Sequence, residues 1–281
     1  MNFETICFYA VVVIVLLGIA RLLNQLISKT NLTHALVETD NKALGIELSG
    51  YFLAVFVIIG GTLSGPGYDS LSLNFLWAFV YGIGGIALMI LATRLASQIM
   101  LKGNSTRAIG EGNASVGLVS GAIYLSAGII IAGAVTGEWS GSHLPTLVFF
   151  VLGWFAFLFF LAMYRALTDY DDYSEIFRGN MAAAISYSAN MIAISIIISH
   201  SVSGNFEGWA SNLLDFGKSL TAVAMLYFVR QFIVQGLLLG SGFTLYGGRL
   251  DREIADDHNI AAAAIEAATY IGAALLAVKL V

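Results

Sequence analysis

The chain reads as an all-α integral membrane protein. Eight transmembrane helices form four parallel helical-hairpin repeats, with small-residue helices central and aromatic helices peripheral. Three observations predict this. Hydrophobic residues make up 58% of the 281 positions and charged residues only 11%, against about 25% charge in soluble domains, so the bilayer is the expected solvent. A short phrase led by Asn recurs four times: Asn41-Lys-Ala, Asn113-Ala-Ser, Asn180-Met-Ala and Asn259-Ile-Ala, in steps of 72, 67 and 79 residues. Each copy opens an apolar run, and each period holds two such runs.

A spanning helix needs about 20 apolar residues. Eight stretches meet this, at about 5–23, 43–63, 73–100, 114–135, 144–167, 181–202, 216–240 and 260–281. They define one membrane domain, 1–281, with internal repeats at about 1–63, 73–135, 144–202 and 213–281. The first stretch reads as a retained helix. No basic residue precedes it and no small-residue cleavage site follows, as a secretory leader would require. The even stretches are slim: Gly45, Ser49 and Gly50; Gly117, Ser120, Gly121 and Gly128; Ala182, Ala183, Ala184 and Ser186; Ala261 to Ala264, Ala267, Ala268 and Gly272. Small side chains let helix backbones approach in lipid, which places these helices at the centre. The odd stretches are bulky, with Phe75, Trp77, Phe79 and Tyr81 in the third and Phe149, Phe150, Trp154, Phe155, Phe157, Phe159 and Phe160 in the fifth. They are expected against lipid.

Basic residues set the orientation. The loops inside the hairpins (24–42, 101–113, 168–180 and 241–259) and the adjoining helix ends hold Arg21, Lys29, Lys42, Arg94, Lys102, Arg107, Arg165, Arg178, Arg249 and Arg252. The opposite side holds Lys218 and Lys279. The positive-inside rule puts those loops in the cytoplasm and both termini in the periplasm. Parallel repeats imply a pseudo-symmetry axis along the membrane normal. Acids precede each Asn: Glu38 and Asp40, Glu111, Glu175, then Glu253, Asp256 and Asp257. Asn41, Asn113, Asn180 and Asn259 are therefore expected to be helix caps, with the acids meeting the positive ends of the helix dipoles.

The units resemble the YjfL-type bacterial inner-membrane proteins, a family with a repeated helical-hairpin unit and no assigned function. Glu175-Ile-Phe-Arg-Gly-Asn180-Met-Ala-Ala-Ala and Asn259-Ile-Ala-Ala-Ala-Ala carry the resemblance best. The first two copies depart from it, with Lys42-Ala43-Leu44 and Ala114-Ser115. The resemblance covers most of the chain. It implies the inner membrane and, through the gene neighbours of relatives, a link to envelope-stress and polyamine-type proteins. It supplies no catalytic residues.

Three ionisable side chains fall inside apolar stretches: Glu47, Arg230 and Glu266. An intramembrane acid is a functional candidate by default. Glu47 and Glu266 stand six and seven residues beyond their Asn, and they converge if the units close into a ring. Otherwise they snorkel or bond to a nearby Ser. Arg230 is either a cytoplasmic anchor equivalent to Arg21, Arg94 and Arg165 or a mid-membrane cation paired with Glu266 or Glu47. Asn190, with Tyr187, Ser186, Ser120 and Tyr124, lines a polar path or makes interhelical hydrogen bonds. Cys7 is the one cysteine, too few for a disulfide or a cysteine cage, and reads as a small apolar filler. His143 and His200 have no second ligand at metal spacing. Trp139 and Trp209 read as interfacial anchors, and Tyr68 as part of a turn. No P-loop, His-Glu-x-x-His or Gly-x-Ser-x-Gly occurs.

The expected function is a channel or transporter for a small ion, using Glu47, Glu266, Arg230 and Asn190. The alternative is a non-transporting scaffold that recruits an envelope-stress partner through the acids of residues 168–179: Asp169, Asp171, Asp172 and Glu175. Enzyme chemistry, a metal and a cofactor are not expected. The expected partners are the bilayer and a cytoplasmic protein, with a homo-oligomer left open. Nucleic acid is excluded for want of a basic patch.

Overall fold

The computed structural model describes residues 3–28, 32–65, 70–137 and 143–280; Lys29, Tyr68 and Trp139 lie outside them. In chain order the helices are α1 (Phe3–Ser28), α2 (Lys42–Ser64), α3 (Leu71–Met100), α4 (Ser105–Gly110), α5 (Ala114–Thr136), α6 (Leu144–Ala166), α7 (Asp172–Phe177), α8 (Met181–Ser201), α9 (Trp209–Phe228), α10 (Arg249–Ala255) and α11 (Ile260–Ala277). A short π-helical turn, His34–Glu38, precedes α2, and α9 runs on as a π-helix, Val229–Leu238. Among the described residues, eight of these helices are long and apolar enough to cross a membrane.

Each repeated Asn is a double joint. Its Oδ1 accepts from the backbone N–H three residues on, at 3.0 Å for Asn41 and 3.1 Å for Asn113, Asn180 and Asn259. This satisfies one of the orphan donors of the helix that follows. Its own N–H reaches back to close the preceding short helix, on Ala35, Ala108, Glu175 and Glu253. That return needs a left-handed residue just before the Asn. Gly112 and Gly179 supply it in the middle units; Asp40 and His258, residue types that tolerate it, supply it in the outer two. The amide Nδ2 then ties units together. Asn41 donates to the Ile109 carbonyl at 3.0 Å, Asn113 to Phe177 at 3.0 Å and Asn180 to Ile254 at 2.8 Å. These bonds bring the starts of α2, α5, α8 and α11 to one end of the bundle, hereafter the Asn end.

From there the four slim helices pack in a row, α2 on α5, α5 on α8 and α8 on α11. Contact is backbone to backbone: a Cβ on Gly50 would run into the Gly121 backbone, and one on Gly117 into the Ala43 carbonyl. The bulky helices clad the row. α1 lies on α2 and α3, α3 on α2 and α5, α6 on α5 and α8, and α9 with its π-helical extension on α8 and α11.

This row corrects the expectation that all four slim helices are central. α8 has 78% of its apolar stretch buried, but α11, at the end of the row, has 28%. The aromatic helices are not simply turned to lipid either. Phe149, Phe150, Trp154, Phe157 and Phe160 of α6 are buried and Phe155 and Phe159 exposed, because one face of α6 fills the groove between α5 and α8. Cys7 is exposed rather than a core filler. The seventh span begins at Trp209 rather than near 216, and the eighth ends at Ala277.

Ser caps a helix about as well as Asn but has no amide to donate. Asn180→Ser is therefore expected to lower stability by about 1–3 kcal/mol, the cost of stranding a buried carbonyl at Ile254. Denaturant titration in detergent measures this; a loss of a few tenths would make the joint between units energetically idle.

Candidate functional site

The π-helical extension of α9 is where the chain spends its buried charge. The wide turn puts Arg230, Gln231, Val234 and Gln235 on one buried face; π-helical segments cluster at functional sites. The Arg230 guanidinium is held by two carboxylates from different elements. Its Nε donates to Glu266 Oε1 of α11 at 2.6 Å, and its Nη2 donates to Asp251 of α10. Asp251 also accepts from the Asp169 backbone N–H at 3.0 Å. A third buried acid, Asp172 of α7, faces Arg165 at 3.8 Å, while Arg165 also donates to Asp171 at 3.2 Å. Two guanidiniums thus meet three buried carboxylates, with Asp171 at the rim.

Tyr164, Tyr170, Tyr187, Tyr227, Tyr270, Ser186 and Asn190 surround Arg230, Arg165 and Asp172 around a cavity of about 20 Å³. That is room for one water molecule and not for a hydrated metal ion. Asn190 Oδ1, Arg230 Nη1 and Glu266 Oε2 are buried without a hydrogen-bond partner. Burial pushes the Asp172 carboxyl up to about 7, with Arg165 and Arg230 pulling it down and Asp251 and Glu266 pushing it up. Burial also drives the Tyr170 hydroxyl well above its ordinary range, so it stays neutral. Among the described residues no set of three His, Cys, Asp or Glu is grouped to hold a metal ion; the acids are turned to guanidinium instead.

The sequence candidates separate. Arg230 is buried, and its partners are Glu266 and Asp251. Asn190 lines the cavity. Glu47 does not converge with Glu266. It accepts from Ser120 Oγ at 2.6 Å between α2 and α5, at the far end of the row. Of the acids proposed as a partner contact, Asp172 is buried and Glu175 accepts from Asn180 and Arg178, whereas Asp169 and Asp171, which caps α7, are exposed. His143 bonds the Tyr81 hydroxyl at 2.5 Å. Beside it an apolar cleft of about 480 Å³ opens between α3, α5 and α6, offering hydrocarbon contact but no chemistry.

Asp251 was missed, and so was the inward role of Asp172. Both carried a signal. Leu250, Asp251 and Ile254 form the buried face of α10, as Asp172 and Ile176 do in α7. An acid inside a short amphipathic stripe eight residues before an Asn was legible in both places.

The family model described as Domain of Unknown Function (DUF350) matches residues 1–135 and, a second time, 139–281. The chain belongs to the DUF350 family. Each match spans two of the slim helices, so this is a tandem DUF350 protein, and the site above lies wholly in the second copy. A relative named as a UPF0719 transmembrane protein, from Aquifex aeolicus (strain VF5), is 26% identical over 167 residues, covering 56% of this chain and 60% of that protein. The chain thus matches less than two thirds of that relative's length. No solved structure matches. Family, relative and the eight apolar helices together make this a polytopic transmembrane protein.

Removing one partner of a buried ion pair strands the others. Arg230→Met is expected to cost about 3–5 kcal/mol, and Arg230→Met with Asp251→Asn and Glu266→Gln to recover most of it, both read by denaturation in detergent. A single-variant loss below about 1 kcal/mol would mean that water already solvates the acids.

Asp172 gives a pH dependence of defined sign. An Asp of ordinary pKa, 3.8, is ionised where the folded carboxyl still holds its proton. The folded state therefore binds more protons between about pH 4 and 7, and stability falls as pH rises through that window. Asp172→Asn is expected to remove the slope, matching wild type below about pH 4 and exceeding it in melting temperature near pH 8. An unchanged slope would assign the titration elsewhere.

Proposed function

We propose that this DUF350 protein is a small-ion transport protein of the bacterial inner membrane, and that its ion is the proton. The observation that carries the reading is the site just described: three buried carboxylates share two guanidiniums around a cavity the size of one water, and one acid titrates near neutrality. Intramembrane ionisable residues that face a bundle interior and pair with one another mark ion pathways and proton relays. Acids this close titrate as a set, so a proton taken by Asp172 changes the hold of Arg165 and Arg230 on the rest. Asn190 and Tyr187 of α8 flank the cavity on the span side. Asp172 and Thr168 reach it from the Asn end, and Glu266 continues the polar line through Arg230.

The Lys and Arg bias orients the reading. With the Asn end cytoplasmic and both termini periplasmic, the cluster takes its proton from the cytoplasmic side. The YjfL-type resemblance supports the inner-membrane location. Glu47 of the second span, bonded to Ser120 of the fourth, stands outside this pathway, which is built on the seventh and eighth spans.

Proteoliposomes with an internal pH dye and a potassium–valinomycin clamp test the proposal. The wild type is expected to dissipate an imposed pH step faster than empty liposomes. Asp172→Asn and Glu266→Gln are expected to slow it at least about tenfold, the effect of about 1.4 kcal/mol on a barrier. Glu47→Gln is expected to stay within twofold of wild type. Melting curves confirm that each variant is folded. A wild-type rate equal to that of protein-free vesicles would sink the transport reading.

A further inference from the structure

The row of slim helices has two unused ends, and they fit each other. Counting from each Asn as zero, the face turned to the next helix carries a small residue at +2, +9 and +13 in every unit. These are Ala43, Gly50 and Ala54; Ser115, Ala122 and Ser126; Ala182, Ala189 and Ala193; Ala261, Ala268 and Gly272. In the first three units all of these lie in the packed row, and a Cβ on Gly50 would strike the Gly121 backbone. In the fourth, no slim helix of the described residues packs on this face, yet its residues stay small: Ala261 and Ala268 are exposed and a Cβ on Gly272 would meet nothing within 4 Å.

The face turned to the preceding helix repeats the pattern at +4 and +8: Gly45 and Ser49, Gly117 and Gly121, Ala184 and Ser188, Ala263 and Ala267. In the first unit no slim helix of the described residues packs on this face, and Ser49 is exposed. At +19 Gly60 has open space around it, whereas its counterparts Ala132 and Ser199 pack against Gly61 and Gly133.

A second, independent observation comes from the Asn joints. The carbonyl that serves a preceding unit follows the residue closing the short helix. It belongs to Ile109, Ile254 and, with Phe177, Ile176. The counterpart in the first unit is Leu36, after Ala35. Ile254 is fully buried at 0% exposure, but Leu36 is 39% exposed. At the other end, Asn259 Nδ2 bonds its own Glu253 at 2.7 Å, as Asn180 Nδ2 bonds Glu175, but without the second bond that carries Asn180 on to Ile254.

We infer that a second copy of this chain continues the row, with α2 of one copy seated on α11 of its neighbour in the register of α2 on α5. All slim helices start from the same end, so copies inserted alike in the membrane present these faces to each other directly. The contact is heterologous, α11 to α2. In lipid, backbone approach through small residues is what drives such helix association.

In that register Ser49 faces Ala268 of the neighbour, as Gly121 faces Gly50 within the chain. The test uses full-length protein carrying Cys7→Ser. One copy bears Ser49→Cys and one epitope tag, the other Ala268→Cys and a second tag, co-expressed and oxidised in native membranes. A disulfide-linked band carrying both tags is the expected result, with no homodimer from either single variant expressed alone. Within one chain the two positions stand at opposite ends of the row, so a bond forms only between copies. A homodimer of Ala268→Cys alone would mean a symmetric α11 contact and overturn the proposal, as would no cross-link at all. Ala268→Trp, which points outward from the folded chain, is expected to reduce the native mass in nanodiscs to one chain without lowering the melting temperature. An unchanged oligomer would count against the seam.

Discussion

Lipid gives two helices little hydrophobic reason to touch, because each apolar side chain is as well solvated by acyl chains as by its neighbour. What remains is close backbone contact, and this protein is organised around it. The α2–α5 seam is made of Gly50 on Gly121, Gly117 on Ala43 and Gly128 on Ala54. Dispersion between backbones at that separation is gained only if no side chain intervenes. The Asn joints fix the register that makes it so. A shift of one residue would carry Gly50 away from Gly121 and bring Tyr51 to the seam. The bulky helices then have one task, to fill the grooves of a row whose spacing is already set.

The charged cluster is tolerable only within that frame. A buried guanidinium costs several kcal/mol unless its donors are met, and Arg230 is met by two carboxylates, Asp251 and Glu266, because α10 and α11 are tied together at Asn259 and to α8 at Asn180. The π-helical stretch performs the local adjustment. Its turn keeps Arg230, Gln231, Val234 and Gln235 on one buried face. Below it the chain folds back: Tyr227 donates to the Leu245 carbonyl, and Gln235 Nε2 to Thr244 Oγ1 at 2.6 Å. Gly247 and Gly248, both at positive φ, let this return pass beside Gln235.

The large features were legible because they are periodic. Eight spans follow from length and composition, the caps from Asn before an apolar run, and the burial of Arg230 from the apolar stretch after it. What escaped was set by tertiary partners. Glu266 and Glu47 look alike in sequence, yet one meets Arg230 and the other Ser120. The difference lies in which helix covers each, and no local pattern encodes that. Asp172 read as a solvated loop acid because three other acids surround it in sequence. Only its spacing from Ile176 marked it as inward. The central placement of α11 was inferred from its alanines, and small residues mark a face made for contact without saying whether the contact lies within one chain.

The two DUF350 copies have divided their polarity. Counted from the Asn, Glu47 at +6 meets Ser120 at +7 across the α2–α5 seam. The corresponding positions across α8–α11 are Ser186 at +6 and Glu266 at +7, the same two residue types in reverse order. Both acids thus stand on an end helix of the row, and only Glu266 lies where Arg230 of α9 can reach it. In the first copy Arg94, one of the arginines that read as counterparts of Arg230, is exposed, and the positions matching Asp172 and Asp251 hold Thr33 and Ser105. A single acid–hydroxyl bond is enough to hold a seam; two guanidiniums with three buried acids around a one-water cavity are more than a seam requires. The excess charge, confined to one copy and expensive to bury, is the physical reason to place chemistry there and structure in the other half.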